Sequence, residues 1–187
     1  MPKKYSQVGI IYGWCGSSAI HWQTWLARKT RKSGIKTVYP KLPGKDRPDL
    51  NAWLKALEKG IANVDGRTAL VGHSLGCCAI LHMLKRKNIL RVGLVVLVAP
   101  PSEERIAKSN APFLAPFASG IDFMNARRKA DRAEIFISDN DAWSSVKDAK
   151  KLAKNLRAKL HIIHKGGHLN VSAGFNTFPE VLALIIG

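Results

Sequence analysis

Short apolar runs alternate along the chain with segments in which apolar residues recur at helical spacing. An apolar run that ends at glycine, proline or a polar turn predicts a buried strand, and an apolar repeat every three to four positions predicts a helix with one buried face. Strands are predicted at 8–12, 35–39, 69–72, 92–99, 133–137 and 160–164. Helices are predicted at 21–32, at 50–61, from the serine turn after position 72 to about 87, at 146–156 and at 179–186. Between them, 100–129 has weak periodicity and is predicted as loop and short helix.

The alternation of strands and helices predicts the fold class. It indicates an α/β fold with a parallel sheet covered by helices on both faces, and right-handed crossovers leave few topologies open. The almost unbroken apolar run at 92–99 is typical of a central strand buried on both faces. No repeat, linker or low-complexity segment marks a second domain, so we predict a single domain spanning 1–187.

The third predicted strand ends in a Gly-x-Ser-x-Gly pattern, formed by Gly72, Ser74 and Gly76. In a nucleophile elbow, a serine lies on a strained turn between a strand and a helix, and the glycines let the two elements approach closely. The same pattern also arises in ordinary glycine-rich turns. Because an apolar strand precedes it here and an apolar helix follows, we predict that Ser74 is a nucleophile.

A serine nucleophile needs a base and a group that orients the base. Ligands of parallel sheets bind beyond the carboxyl ends of the strands. His168 follows the sixth strand on a turn that contains two glycines, and is the candidate base. Asp139 and Asp141 follow the fifth strand; either could be the acid, and either could instead cap the next helix. The other histidines are better explained by packing, capping or exposure: His21, His73, His82, His161 and His164.

Acyl transfer also requires donors for the oxyanion. In an elbow, the first donor is the main-chain N–H after the nucleophile, here that of Leu75, and the second comes from a loop after another strand. The second donor is expected from Trp14 or Cys15, in a loop whose glycines allow the main chain to approach a substrate. Cys15 could itself act as a thiol nucleophile, but the pattern places no histidine near it. We expect neither a metal nor a cofactor.

The chain carries a net charge of +17 and has an isoelectric point of about 10.2. Such a charge attracts nucleic acid, acidic membrane surfaces or anionic substrates. The basic residues are spread over the polar faces of predicted helices, without a recognition motif or interleaved aromatic residues, so a solvated surface is favoured. The alternative is a hydrolase-like scaffold that serves as a basic binding module for nucleic acid, anionic lipid or a protein partner.

Cysteine usage and apolar segment length bear on the compartment. Three cysteines, two of them adjacent at Cys77 and Cys78, fit a reducing compartment better than a disulfide framework. The basic start at 1–4 is followed by an apolar run too short for a signal peptide, and no run approaches the roughly 18 residues needed to cross a bilayer. We therefore expect a cytoplasmic protein.

Several motifs together resemble a known family. They are Gly-Trp-Cys-Gly-Ser at 13–17, His-Trp-Gln-Thr-Trp at 21–25, Gly-His-Ser-Leu-Gly at 72–76, Val-Ala-Pro at 98–100, Ser-Asp-Asn-Asp at 138–141 and Gly-Gly-His-Leu-Asn at 166–170. This set resembles the small serine hydrolases of the retinoblastoma-binding protein nine type. The resemblance implies a compact α/β-hydrolase, a mostly parallel six-stranded sheet in the order 2-1-3-4-5-6, no large cap domain and a Ser-Asp-His triad. It also implies that His21 and Trp22 shape the loop beside the site.

The resemblance favours Asp141 as the triad acid and leaves Asp139 as the alternative. The family's catalytic aspartate usually precedes a proline, whereas Asp141 precedes Ala142. The family's first strand typically ends in Pro-Gly, where this chain has Tyr12 and Gly13. The predicted activity is that of a serine hydrolase cleaving a small acyl substrate through an acyl-enzyme. Ser74 attacks, His168 carries the proton and Asp141 orients the imidazole, while Leu75 and Trp14 bind the oxyanion.

Overall fold

The computed structural model of the protein describes residues 4–187, so most of the basic start at 1–4 lies outside the described residues. Six strands form one parallel sheet in the order β2-β1-β3-β4-β5-β6. They are β1 (Gln7–Ile11), β2 (Lys36–Val38), β3 (Thr68–His73), β4 (Leu94–Val98), β5 (Ala133–Ser138) and β6 (Lys159–Ile163). The predicted α/β fold and the strand order are confirmed.

Burial of the strands follows their place in the sheet. Every residue of β1, β3, β4 and β5 is buried, whereas the edge strands β2 and β6 are partly exposed. A parallel strand with helices on both sides has no solvated face, which is why its sequence is a nearly continuous apolar run. The central position predicted for the 92–99 run is correct, although β4 itself is shorter at both ends.

Eight helices accompany the sheet in the described part of the chain. They are α1 (Trp22–Lys32), α2 (Leu50–Gly60), α3 (Leu75–Met83), α4 (Glu103–Ala107), α5 (Ala115–Ala118), α6 (Phe123–Lys129), α7 (Val146–Leu156) and α8 (Pro179–Ile186). The helix predicted to reach about 87 ends earlier, at Met83, and continues as hydrogen-bonded turns. The weakly periodic segment 100–129 contains α4, α5, α6 and a 3₁₀ turn. No helix among residues 4–187 is long and apolar enough to cross a membrane.

Two apolar clusters flank the sheet. Residues of α1 and α8 pack with one face of the strands, and residues of α2, α3 and α7 pack with the other. On the second face α3 passes very close to β1, since a Cβ atom added to Gly76 would lie 2.2 Å from the main-chain oxygen of Ile11. Only glycine permits this approach, and it places the start of α3 directly above the carboxyl end of β1.

Candidate active site

Ser74 lies on the turn that joins β3 to α3. Its φ of 53° and ψ of −125° are a strained conformation for a residue with a side chain, and its N–H donates to Val98 O at 2.9 Å. Strain at a single residue between a buried strand and a helix is characteristic of a nucleophile elbow. The loop after β1 passes over it, because a Cβ added to Gly13 would lie 3.2 Å from Ser74 Oγ.

The imidazole of His168 contacts the carboxylate of Asp141. Nδ1 of His168 lies 3.0 Å from both Oδ1 and Oδ2 of Asp141. The Asp141 side chain is fully buried and that of His168 is 17% exposed. Since a carboxylate only accepts, this contact assigns the proton to Nδ1 of the neutral ring and leaves Nε2 as the basic nitrogen. Oδ1 of Asp141 also accepts from the N–H of Trp143 at 2.8 Å, which fixes the carboxylate.

The loop after β5 holds the turn that carries His168. The side chains at 138–140, from the last residue of β5 into the loop, each accept a hydrogen bond from a main-chain N–H of that turn, so the two segments form a short ladder. The bonds are Ser138 Oγ with Gly166 N at 2.7 Å, Asn140 Oδ1 with Gly167 N at 2.8 Å and Asp139 Oδ1 with Lys165 N at 2.8 Å. The turn that contains Gly166 and Gly167 is therefore held at three successive residues.

Asp139 faces a different histidine. Its Oδ2 lies 2.6 Å from Nδ1 of His164, and both side chains are exposed to solvent. The N–H of Lys165, followed by the hydrogen bond from His164, holds the pKa of Asp139 below its usual range. The structure thus brings Asp141 to His168 and directs Asp139 to the end of β6.

Two buried side chains from other elements bind the main chain around His168. Nε2 of His73, the last residue of β3, lies 2.9 Å from the carbonyl oxygen of His168. Nε1 of Trp22, the first residue of α1, donates to the carbonyl oxygen of Leu169 at 2.9 Å. The sequence did not predict the contact of His73 with His168, because a residue next to the serine on the turn is expected to point away from it. The resemblance did indicate that Trp22 shapes the surrounding loop.

His21, His73 and His168 form a row of imidazole rings. Ring centroids of His21 and His73 are 5.1 Å apart, and those of His73 and His168 are 5.0 Å apart. Burial, with a smaller effect from His168, lowers the pKa of His21 to about 4. Burial also holds the pKa of His73 well below its ordinary value. Nδ1 of His21 accepts from the N–H of Gln23 at 3.2 Å, so His21 caps α1, one of its two predicted roles.

Two main-chain N–H groups are candidate donors for an oxyanion, one at the start of α3 and one in the loop after β1. The N–H of Leu75 begins α3, and the first N–H groups of a helix have no partner within it. Within residues 4–187, neither the N–H of Leu75 nor that of Trp14 has a hydrogen-bond partner. The N–H of Cys15 donates to Lys45 O at 3.2 Å. Of the two residues predicted for the second donor, Trp14 therefore has the free group.

Three half-buried aromatic rings lie next to these loops. The ring centroid of Trp14 is 5.6 Å from that of Phe113 and 6.3 Å from that of Trp143, both edge to face. Nε1 of Trp14 donates to Asp46 O at 2.8 Å, which sets the orientation of the indole. Since Trp14 follows the glycine that touches Ser74, and Trp143 follows the Asp141 loop, the rings connect the two sides of the site.

A cavity of about 490 Å³ lies between α3, α4, α6 and α7, with Cys78, Phe123 and Leu152 in its lining. Ser74, Asp141 and His168 are not part of the lining, so this cavity is separate from the group around the serine. In the described part of the chain, no group of three or more histidine, cysteine or acidic side chains is arranged to hold a metal ion.

The chain is similar to known hydrolases over nearly its full length. The family model described as Serine hydrolase matches residues 8–186. YdeN of Bacillus subtilis (strain 168), which carries the name of a hydrolase, is 31% identical over 179 residues, covering 94% of this chain and 92% of YdeN. These matches support hydrolysis and do not favour the binding-module alternative.

Solved structures agree with the fold. The crystal structure of the B. subtilis ydeN gene product has a TM-score of 0.85 and 29% identity, covering 96% of each chain. A YdeN-like hydrolase from Pectobacterium atrosepticum has a TM-score of 0.69 at 21% identity, covering 97% of this chain and 94% of the other. Est1E from Butyrivibrio proteoclasticus, solved with ferulic acid bound, has a TM-score of 0.66 at 15% identity, and the match covers 98% of this chain and 86% of Est1E. By its family match and its relatedness to YdeN, this chain belongs to the serine hydrolase family.

Proposed function

We propose that the protein is a carboxylesterase-like serine hydrolase that cleaves a small ester or related acyl compound through an acyl-enzyme. In this proposal Ser74 is the nucleophile, His168 the general base and acid, and Asp141 the group that orients the imidazole. The observation that supports it most directly is the 3.0 Å contact of His168 Nδ1 with the buried Asp141, at the sheet edge where Ser74 occupies a strained turn.

The proposed reaction has two halves. Nε2 of His168 takes the proton from Ser74 Oγ as the oxygen attacks the substrate carbonyl carbon, and the carbonyl oxygen becomes an oxyanion. The N–H groups of Leu75 and Trp14 stabilise this charge. Collapse breaks the bond to the alcohol, which leaves with the proton from His168. A water molecule then loses a proton to His168 and attacks the acyl carbon. The bond to Ser74 Oγ breaks, His168 returns the proton to Oγ, and the acid is released.

Three narrower points belong to the same proposal. The rings of Trp14, Phe113 and Trp143 bind the apolar part of the substrate, since half-exposed aromatic rings offer apolar surface beside the reacting atoms. The family subgroup is the retinoblastoma-binding protein nine type. The chain forms a single domain, which the one continuous sheet supports. It works in the cytoplasm, which the three free thiols support.

A fluorophosphonate probe tests the nucleophile. The wild-type protein should gain one covalent adduct on Ser74, detected by intact mass and peptide mapping, and should hydrolyse p-nitrophenyl acetate. Ser74→Ala should abolish both. The exposed Ser119, on the turn after α5, provides a control, and Ser119→Ala should react like the wild type. Labelling that persists in Ser74→Ala would rule out Ser74 as the nucleophile.

A further inference from the structure

We infer that His73 is a positioning residue, which ties the main chain of His168 to β3 so that one strand sets the places of both the nucleophile and the base. The inference rests on the proposed function, in which Ser74 and His168 react together. His73 directly precedes Ser74, and its side chain reaches the residue proposed as the base, 95 positions further along the chain.

The geometry defines what the His73 ring must do. A carbonyl oxygen can only accept, so Nε2 of His73 carries the hydrogen and donates to His168 O over 2.9 Å. The His73 residue is only 6% exposed, and its pKa is lowered by burial and by the neighbouring imidazoles, so the ring stays neutral. A neutral ring with the hydrogen on Nε2 makes this bond without placing a positive charge beside His168.

The turn around His168 depends on such a contact. Asp141 holds the imidazole ring, whereas the backbone on either side has left-handed residues, with φ of 56° at Gly167 and 49° at Leu169. A non-glycine residue in this region is strained and keeps its conformation only where its surroundings enforce it. Trp22 holds the carbonyl of Leu169, and His73 holds that of His168 itself. Proton transfer in the proposed reaction requires Nε2 of His168 to come within hydrogen-bond distance of Ser74 Oγ. The contact to β3 fixes the main chain of His168 relative to Ser74, the residue that follows His73.

Two amides of different length test the contact. His73→Gln places an amide nitrogen near the position of Nε2, while His73→Asn, one methylene shorter, does not reach the carbonyl. Both remove the imidazole and keep an amide, and only the longer side chain can donate to the carbonyl oxygen of His168. With p-nitrophenyl acetate, His73→Asn should lose about tenfold or more in kcat with KM within about twofold, because a buried carbonyl loses its donor. His73→Gln should recover most of the loss.

The chain offers a matched control in His82. Its Nε2 lies 3.1 Å from the carbonyl oxygen of Phe117, so this histidine makes the same kind of contact at the opposite end of α3 from Ser74. His82→Asn should lower the thermal midpoint without changing kcat by more than about twofold. If His73→Asn and His73→Gln have equal kcat, or if His82→Asn lowers kcat as much as His73→Asn, the positioning role is wrong.

Two readouts need no turnover and separate this inference from the proposed function. Imidazole ¹⁵N spectra of the wild-type protein should show His73 with its hydrogen on Nε2 at neutral pH, and the opposite tautomer would overturn the inference even where a variant fails to fold. Main-chain hydrogen exchange at 166–170 should accelerate in His73→Asn and stay unchanged in His82→Asn. Failure of the Ser74 labelling test would refute the proposed chemistry, whereas these measurements report the contact itself.

Discussion

At the scale of single residues, the environment separates two aspartates that the sequence leaves nearly equivalent. Asp139 and Asp141 are two positions apart in one loop, and each contacts a histidine. Asp139 is exposed and pairs with an exposed histidine, whereas the Asp141 carboxylate is fully buried against His168. In the proposed mechanism the buried carboxylate holds the ring in one tautomer and stabilises the imidazolium, whereas a solvated pair at the surface contributes little.

Exchange of each carboxylate for an amide separates their roles. Asp141→Asn should lower kcat for p-nitrophenyl acetate by about 10³ to 10⁴, because an amide that donates to Nδ1 favours the wrong tautomer. Asp139→Asn should leave kcat within about threefold, since its partner is an exposed histidine. Parallel assays of the two purified variants decide the matter, and a larger loss for Asp139→Asn would reverse the assignment.

At the scale of elements, the site depends on how closely α3 approaches β1. The strand, turn and helix around Ser74 are local in sequence, but their distance from β1 is set by packing across the sheet. Gly76 lies where a side chain would meet the main chain of Ile11 and Tyr12. Neither backbone segment can yield without moving a buried strand, so the requirement for glycine is strict.

Substitution of two helical glycines tests this close approach. Gly76→Ala should destabilise the protein by about 3 kcal/mol or more, because the new Cβ would be 2.2 Å from Ile11 O. Gly60, the last residue of α2, is the control, since a Cβ there would meet Pro40 and Val38 at 3.7 Å, which is an ordinary contact. Gly60→Ala should be neutral or stabilise by up to about 1 kcal/mol. Urea unfolding measures the free energy of unfolding of both variants. An equal decrease in the two would show that the approach of α3 to β1 does not require glycine at position 76.

At the scale of the whole molecule, charge and buried imidazoles govern how folding responds to pH. The sequence has 30 lysines and arginines against 13 acidic residues, so acidification adds positive charge to an already basic protein. His21 and His73 are neutral in the folded state because burial lowers the pKa of each. In the unfolded chain both titrate near their ordinary pKa of about 6.5.

We expect the free energy of unfolding to fall as the pH is lowered from about 6.5 to about 4. In that range the unfolded chain binds more protons than the folded state does, which favours unfolding on acidification. His21 alone should contribute on the order of 2 kcal/mol. Urea unfolding across this pH range measures the slope. His21→Asn keeps a side-chain cap for α1 without a titrating group and should flatten the curve, and an unchanged slope would exclude His21 as its source.

The order of apolar and polar residues along the chain predicted most of the elements, their parallel arrangement, and a serine, a histidine and two aspartates as candidates for the site. Periodicity and strand ends are local properties, and all parallel strands bring their carboxyl ends to one edge, so candidate residues for the site can be predicted from their order along the chain. The ends of elements were predicted less well, since α3 stops at Met83 instead of about 87 and β4 is shorter at both ends than the apolar run at 92–99.

The contacts between these groups depend on how the elements pack in three dimensions. The tertiary structure brought Asp141 to His168, left Trp14 with the free N–H, and set His73 and Trp22 against the main chain of the His168 turn. These contacts join residues 27 to 147 positions apart and depend on the spacing of packed elements to within an ångström. No local pattern encodes that spacing, because it results from the whole core packing at once.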